Sequence, residues 1–199
     1  MTLPQIVAIC GCKRSGKDTL ADILVLRHGY VKVRIAEDLK RVVRLLFDFS
    51  EDQVETDLKD EVDARWGVAP RAIMQYFGSE VLQHGLQSVL PCAGRRFQID
   101  KVLKRMEPTM RYVIPDMRFA HEYEAIAAHC PGGVYTVRMH RPSLGDTTAG
   151  CHVSEQEYEH IPVDAVVINS TGDAASLYSQ LPVFTGDAPL AASPPGPEA

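Results

Sequence analysis

The 199-residue sequence lacks the features of several specialised protein classes. It has no excess of basic side chains, because 26 acidic residues outnumber 21 lysines and arginines, whereas a nucleic-acid-binding surface needs broad positive charge. No apolar run approaches the length of a membrane span, and the first predicted strand begins too early to leave room for a signal segment. We therefore expect a soluble, cytoplasmic protein that binds neither nucleic acid nor a membrane.

Paired cysteines are also missing. The five cysteines form no C-x-x-C pair, and no histidine stands at zinc-ligand spacing from them. The sequence therefore favours a reducing compartment.

What the sequence does have is a glycine-rich loop between an apolar run and a helical pattern. Residues 11–19 read G-C-K-R-S-G-K-D-T, which fits the phosphate-binding pattern G-x-x-x-x-G-K. Glycines let the backbone N–H groups face phosphate oxygens, the helix start adds its positive dipole end, and Lys17 adds an ammonium. The common pattern has Ser or Thr after this lysine as a magnesium ligand, whereas this chain has Asp18 and then Thr19.

Alternation of strand and helix patterns predicts the fold. Strands are expected at residues 5–10, 30–35, 112–115, 134–139 and 163–168, and the segments between them carry helical spacing, including one long helix over residues 70–90. Such alternation implies a three-layer α/β fold with a five-stranded parallel sheet. We expect one domain over residues 1–182, with a helical insert at 36–110, a lid at 141–161 and a disordered tail at 183–199.

A second motif follows the third predicted strand. Asp116 stands where an acidic side chain holds magnesium in phosphate-binding folds, directly or through water, and Arg118 would stabilise a transferring phosphoryl group. An ordinary surface pair at a strand end is the alternative.

Two further groups of residues suit an anionic substrate. Arg71 and Gln75 are four residues apart on a predicted helix and would clamp a phosphate and read a base edge, although solvated positions on a helix face would look the same. Arg138 and Arg141 precede a segment rich in Gly, Thr and Ser that is typical of a lid, and we favour Arg141 as the residue that contacts phosphates. His152, in the same segment, is more typical of a hydrogen-bonded surface residue.

With these motifs in order, the chain resembles the bacteriophage deoxynucleoside monophosphate kinases, which have the P-loop nucleoside monophosphate kinase fold. Shared features are K-R-S-G-K-D at residues 13–18, Lys40, the pattern of Arg71, Met74, Gln75 and Gly78, Pro115-Asp116 with Arg118, His121 and Glu122, His152 with Glu155, and Asn169. Asp18 is then a trait of the family. The resemblance covers about residues 5–181.

The resemblance implies an ATP- and Mg²⁺-dependent phosphotransferase acting on a deoxynucleoside monophosphate, in the host cytoplasm if a phage encodes it. Catalytic residues would be Lys17, Arg118 and Arg141. The ATP site would comprise Gly11, Lys13, Arg14, Ser15, Gly16, Lys17, Asp18 and Thr19, with Asn169 beside the adenine. The acceptor site would comprise Lys40, Arg71, Gln75 and Asp116, and the magnesium ligands would be Asp18, Thr19 and Asp116.

Two other functions and a homodimer remain open at this stage. The animal phosphomevalonate kinases share the K-x-S-G-K-D loop and a D-x-R motif with this chain, but Met74, Gln75 and Gly78 favour a nucleotide acceptor. A nucleotide-sensing switch is disfavoured because the guanine-reading N-K-x-D motif is missing where Ile168-Asn169-Ser170 stands. The 51–63 segment departs from the family's best-known members and leaves base specificity undecided.

Overall fold

The computed structural model describes residues 3–130, 133–142 and 157–185, and the chain divides into two compact units. The first unit comprises Met1–Arg34 and Arg105–Ala199, and the second comprises Ile35–Lys104.

A five-stranded parallel sheet forms the centre of the first unit, with strand order β2-β3-β1-β4-β5. The prediction of a parallel α/β sheet is confirmed. The strands are β1 (Ile6–Gly11), β2 (Val31–Lys32), β3 (Tyr112–Ile114), β4 (Val134–His140) and β5 (Ala165–Ile168). β2 is shorter than predicted because it is an edge strand that pairs with β3 alone, although the Val33 N–H still donates to the Val113 carbonyl.

Helices connect the strands and build the second unit. Among the described residues they are α1 (Lys17–His28), α2 (Glu37–Phe47), α3 (Glu51–Glu55), α4 (Pro70–Tyr76), α5 (Phe97–Leu103), α6 (Ala120–His129), α7 (Ala174–Ser179) and α8 (Pro182–Thr185). Short 3₁₀ turns occupy Asp57–Asp60, Gly85–Ser88, Gly94–Arg96 and Glu157–His160.

The apolar core of the first unit explains why β1 has no polar alternation. Val7 and Ile9 pack on one face of the sheet with side chains of α1, α7 and α8, while Ile6, Ala8 and Cys10 are buried as well. A central parallel strand covered on both faces needs apolar residues at every position. The strand can therefore hold the loop that follows it in a fixed place.

The expected start of the disordered tail at residue 183 is wrong for its first three residues. Pro182–Thr185 forms α8, and Phe184 is 1% exposed against Tyr30, His28 and Tyr135. The Pro-, Ala- and Gly-rich composition after Pro182 predicted disorder, but this aromatic side chain at its start is buried. Residues 186–199 lie outside the described residues.

In the second unit, the predicted single helix over residues 70–90 is also wrong. Regular α-helix ends at Tyr76, and Phe77–His84 continues as π-helix before the 3₁₀ turn. Phe77 and Leu82 are five residues apart, and both pack against the cluster of Leu39, Val43, Phe49 and Val54. An i→i+5 hydrogen-bond pattern keeps side chains at that spacing on one face.

Within the described part of the chain, every helix is too short or too polar to cross a bilayer.

Candidate active site

The glycine-rich loop leaves the carboxyl end of β1 in a conformation that requires glycine at two positions. Gly11 has φ 133° and Gly16 has φ 101°, values that L side chains rarely adopt. A Cβ on Gly16 would lie 2.6 Å from the side-chain nitrogen of Asn169, and one on Gly11 would overlap the Met139 carbonyl. The two glycines therefore allow the loop to lie directly against its supports.

Helix α1 begins at this loop without a side-chain cap. Gly16 is the N-cap residue, and no hydrogen bond from a described side chain closes the helix start. The first N–H groups of a helix lack partners within the helix and carry its positive dipole end, so this end suits an anion.

A cleft of about 390 Å³ opens over the loop. This volume lies within the usual range for small-molecule sites. The lining residues are Arg14, Ser15, Gly16, Lys17, Asp18, Thr19, Arg141, Asn169 and Gly172. The structure thus brings together the predicted phosphate loop, Arg141 and Asn169.

Lys17 is held by the loop itself. Its Nζ donates to the carbonyl oxygens of Gly11 at 2.9 Å and Cys12 at 2.6 Å. Burial, together with the nearby Arg118 guanidinium, lowers the pKa of Lys17 to about 8. Two cationic side chains are therefore close together beside the loop, an arrangement that favours a highly charged anion.

The predicted Asp116–Arg118 motif forms the turn between β3 and α6. Arg118 donates its backbone N–H to Glu122 Oε2 at 2.7 Å, and Phe119 donates to the same oxygen at 3.0 Å. Burial and the nearby Asp116 carboxylate raise the pKa of Glu122 to about 7, against the lowering effect of these N–H donors. The sequence analysis gave Glu122 no role of its own.

The two arginines of β4 and its following loop have different contacts. Arg141 Nη1 donates to the Arg14 carbonyl of the phosphate loop at 3.1 Å. Arg138 Nη2 donates to the carbonyls of Glu159 and Ile161 at 3.0 and 2.7 Å, so it anchors the chain before β5. Most of the predicted lid, including His152, lies outside the described residues.

Asn169 supports the phosphate loop through a side-chain hydrogen bond. Its Nδ2 donates to the Ser15 carbonyl at 2.9 Å, and its Oδ1 accepts from the Gly172 N–H at 2.8 Å. The side chain is buried, so these contacts make Asn169 a support of the loop. Its predicted place beside the adenine stays a prediction.

Asp18 contacts two cations that the sequence analysis missed. Its Oδ1 lies 2.5 Å from Arg34 Nη2 and 3.7 Å from Lys32 Nζ. Burial alone would raise the pKa of Asp18, but Arg34 and Lys32 lower it below its ordinary value. Lys32 and Arg34 are two residues apart in the strand predicted at residues 30–35, where alternation would place both on one face, and this is the signal that would have found them.

The second unit holds three of the residues predicted for the acceptor. Lys40 Nζ lies 2.6 Å from Glu55 Oε2, and Arg71 forms an ion pair with Asp60 through Nε and Nη2. Arg71 and Gln75 are both in α4, so they share a helix face as predicted. Both carboxylates come from the acidic segment at residues 51–60.

Comparison with known proteins found a viral protein that is similar to this chain over most of its length. No protein-family model matches the chain. A protein of Acanthamoeba polyphaga mimivirus, named "Putative deoxynucleotide monophosphate kinase", is 29% identical over 187 residues, which is 88% of this chain and 93% of that protein. The chain is therefore similar to the viral protein along most of both sequences.

Two solved structures show weaker likeness. A gluconokinase from Sinorhizobium meliloti 1021 aligns with 92% of this chain and 91% of its own, at 12% identity and a TM-score of 0.47. TT1252 from Thermus thermophilus aligns with 88% of this chain and 94% of its own, at 17% identity and a TM-score of 0.38. At these scores, neither structure says anything about activity.

Proposed function

We propose that this chain transfers the γ-phosphoryl group of ATP to the 5′-phosphate of a deoxynucleoside monophosphate, giving ADP and the deoxynucleoside diphosphate. At the coarser level, the chain is an ATP-dependent phosphotransferase. One observation supports the acceptor class, namely the 29% identity to the viral protein named "Putative deoxynucleotide monophosphate kinase".

The phosphate loop fits a triphosphate on its own chemistry. Ser15 Oγ is buried and has no hydrogen-bond partner among the described residues, although buried hydroxyls normally have one. The start of α1 also has no side-chain cap there. We assign the loop and Lys17 to the phosphates of ATP, and Arg118 and Arg141 to the charge that develops on the transferring group.

Magnesium also fits the donors that are present. The ion usually binds proteins through one or two carboxylates plus substrate phosphates, so it needs no cage of protein ligands. Thr19 and Asp116 would hold it, with Asp18 as the third predicted ligand, although Asp18 is already paired with Arg34. When bound there, the ion would supply positive charge that neutralises the phosphates.

We assign binding of the acceptor to Lys40, Arg71, Gln75 and Asp116. An arginine binds a phosphate through two parallel N–H donors, and a glutamine amide offers both a donor and an acceptor to a base edge. The acceptor phosphate is already an anion, so the reaction needs positioning and charge neutralisation more than a general base.

A coupled assay of ADP release tests the proposal, run with each deoxy- and ribonucleoside monophosphate, with phosphomevalonate and with no acceptor. We expect ADP release only when a deoxynucleoside monophosphate is added. A response to phosphomevalonate alone would favour the other kinase family. ADP release that ignores every acceptor would favour a nucleotide-sensing switch.

A further inference from the structure

The turn that carries Arg118 depends on one buried carboxylate. Glu122 is 4% exposed, and its Oε2 accepts the backbone N–H groups of both Arg118 and Phe119. Met117, on the other side of Arg118, is fully buried. The backbone is thus fixed on both sides of the residue whose side chain we assign to the transferring phosphoryl group.

Glu122 does more than an ordinary helix cap requires. In a capping box, the acidic residue at the third helical position accepts only the N–H of the N-cap residue, which here is Phe119. Phe119 has no side-chain acceptor, and the carboxylate reaches one residue further, to the Arg118 N–H. This additional bond is the shorter of the two, at 2.7 Å.

The direction that this turn gives to Arg118 matters for Lys17. After burial, the nearby Arg118 guanidinium is the next cause that lowers the pKa of Lys17. Among the described residues, neither cation forms an ion pair with a carboxylate, so the position of each depends on the backbone that carries it. For Arg118, that backbone is the segment bound by Glu122.

We propose that Glu122 is a positioning residue, which holds the Asp116–Phe119 turn so that Arg118 lies beside Lys17 at the phosphate site. The inference rests on the proposed function through the role given there to Arg118. Glu122 itself does not touch the substrate.

A double-mutant cycle tests this inference, with Glu122→Ala, Arg118→Ala, both together, Glu122→Gln and the control Glu124→Gln. Misplacement of a catalytic group by about 1 Å can lower turnover about 100-fold. We expect E122A to lower kcat about 10- to 100-fold with little change in the acceptor KM. The double variant should be no worse than R118A, because Glu122 acts through Arg118.

Two variants separate charge from geometry. E122Q keeps an oxygen that accepts both N–H groups, so kcat should recover to within about threefold of the wild type. E124Q removes an exposed carboxylate from the same helix and should behave as the wild type. Multiplicative losses in the double variant, or a wild-type kcat for folded E122A, would overturn the inference.

Titration with a non-hydrolysable ATP analogue tests the role of Glu122 even if the proposed function is wrong. If the wild type transfers no phosphate, the proposed function fails. In that case E122A should weaken analogue binding by no more than R118A does, with no further loss in the double variant. Independent losses of binding would overturn the role of Glu122 in either case.

Discussion

Lys17 and Arg118 in the first unit are held in a different way from Lys40 and Arg71 in the second. In the first unit, Lys17 is bonded to backbone carbonyls, and neither it nor Arg118 pairs with a carboxylate among the described residues. In the second unit, Lys40 and Arg71 each pair with a carboxylate of the acidic segment. Among the described residues, Lys17 and Arg118 are thus not neutralised by a carboxylate, whereas Lys40 and Arg71 are.

This difference in pairing fits the roles that we propose, in which Lys17 and Arg118 bind the donor and Lys40 and Arg71 bind the acceptor. A triphosphate carries more charge than a monophosphate, and an unneutralised pair of cations attracts it most strongly. To bind Arg71, an acceptor phosphate would have to displace the carboxylate of Asp60, which is already paired with it. Donor binding should therefore depend on the loop, and acceptor binding should depend on the balance between Arg71 and its acidic partner.

The largest effect is expected from Lys17→Ala. Removing a preorganised charge from a phosphoryl-transfer site lowers turnover about 100- to 1,000-fold. Steady-state kinetics measure kcat, and circular dichroism checks that the fold is intact. Lys104→Ala, which removes an exposed lysine, is the matched control. Turnover like that of the wild type in K17A would remove the basis for the donor site.

Asn169→Ala should come next. It deletes the hydrogen bonds to the Ser15 carbonyl and the Gly172 N–H, and each buried group left unpaired costs about 1–3 kcal/mol. We expect a lower Tm and a higher KM for ATP. Gln180→Ala is the control, because Gln180 also bonds to backbone groups, those of Ile168. An equal rise of the ATP KM in both variants would contradict a specific support of the loop.

Arg71→Ala tests the acceptor side. Loss of a charged clamp on phosphate should raise the acceptor KM about tenfold or more, with the ATP KM unchanged. Arg96→Ala removes an ion-paired arginine elsewhere in the same unit and serves as the control. If the ATP KM alone changed, Arg71 would belong to the donor site, and its assignment to the acceptor would be wrong.

Asp60→Asn tests the neutralisation of Arg71 directly. If Asp60 neutralises Arg71, the variant should lower the acceptor KM, by at most about fivefold, since partly exposed ion pairs contribute about 1 kcal/mol or less. Asp52→Asn removes another carboxylate of the acidic segment and should have little effect. A raised acceptor KM in D60N would mean that Asp60 orients Arg71 instead.

The smallest effect concerns acid stability. Burial, with Arg111 and Arg27, lowers the pKa of His28 in the first unit. The unfolded chain therefore takes up this proton first, and stability falls as the pH drops through about 6.5. In the second unit, the Arg65 hydrogen bonds lower the pKa of Asp63, so that contribution is lost only below about pH 4.

Amide exchange at a series of pH values, corrected for intrinsic rates, checks this order. The destabilisation due to His28, taken as the difference in protection between the wild type and His28→Gln, should begin at a higher pH than the loss of the Asp63 contribution, taken against Asp63→Asn. Glu122, whose pKa is raised, acts in the opposite direction in the first unit, and the comparison with His28→Gln cancels its effect. If both differences appeared at the same pH, the assignment of the two steps to His28 and Asp63 would be wrong.

The sequence predicted the parts of the site that depend on neighbouring residues. The phosphate loop follows an apolar strand, so its glycines and Lys17 are recognisable from local order alone. The same holds for Asp116 and Arg118, which follow β3 directly. Parallel strands place their carboxyl ends at one edge, and this rule was enough to predict the sheet and the position of these motifs.

Contacts between residues far apart in the sequence could not be predicted from local patterns. Asn169 supports Ser15 across 154 positions, and Lys40 pairs with Glu55 from a segment without clear periodicity. The π-helix after Tyr76 was missed because spacings of four and five residues look alike in an amphipathic pattern. Side-chain partners of this kind follow from the tertiary fold and carry no local signal.

The most direct test of phosphoryl transfer is ³¹P NMR of the wild-type protein with ATP, Mg²⁺ and one deoxynucleoside monophosphate. Transfer from donor to acceptor predicts that the γ-phosphate signal is lost while the β-phosphate signals of ADP and the deoxynucleoside diphosphate grow in equal amounts. Growth of inorganic phosphate instead, with the monophosphate signal unchanged, would contradict the account.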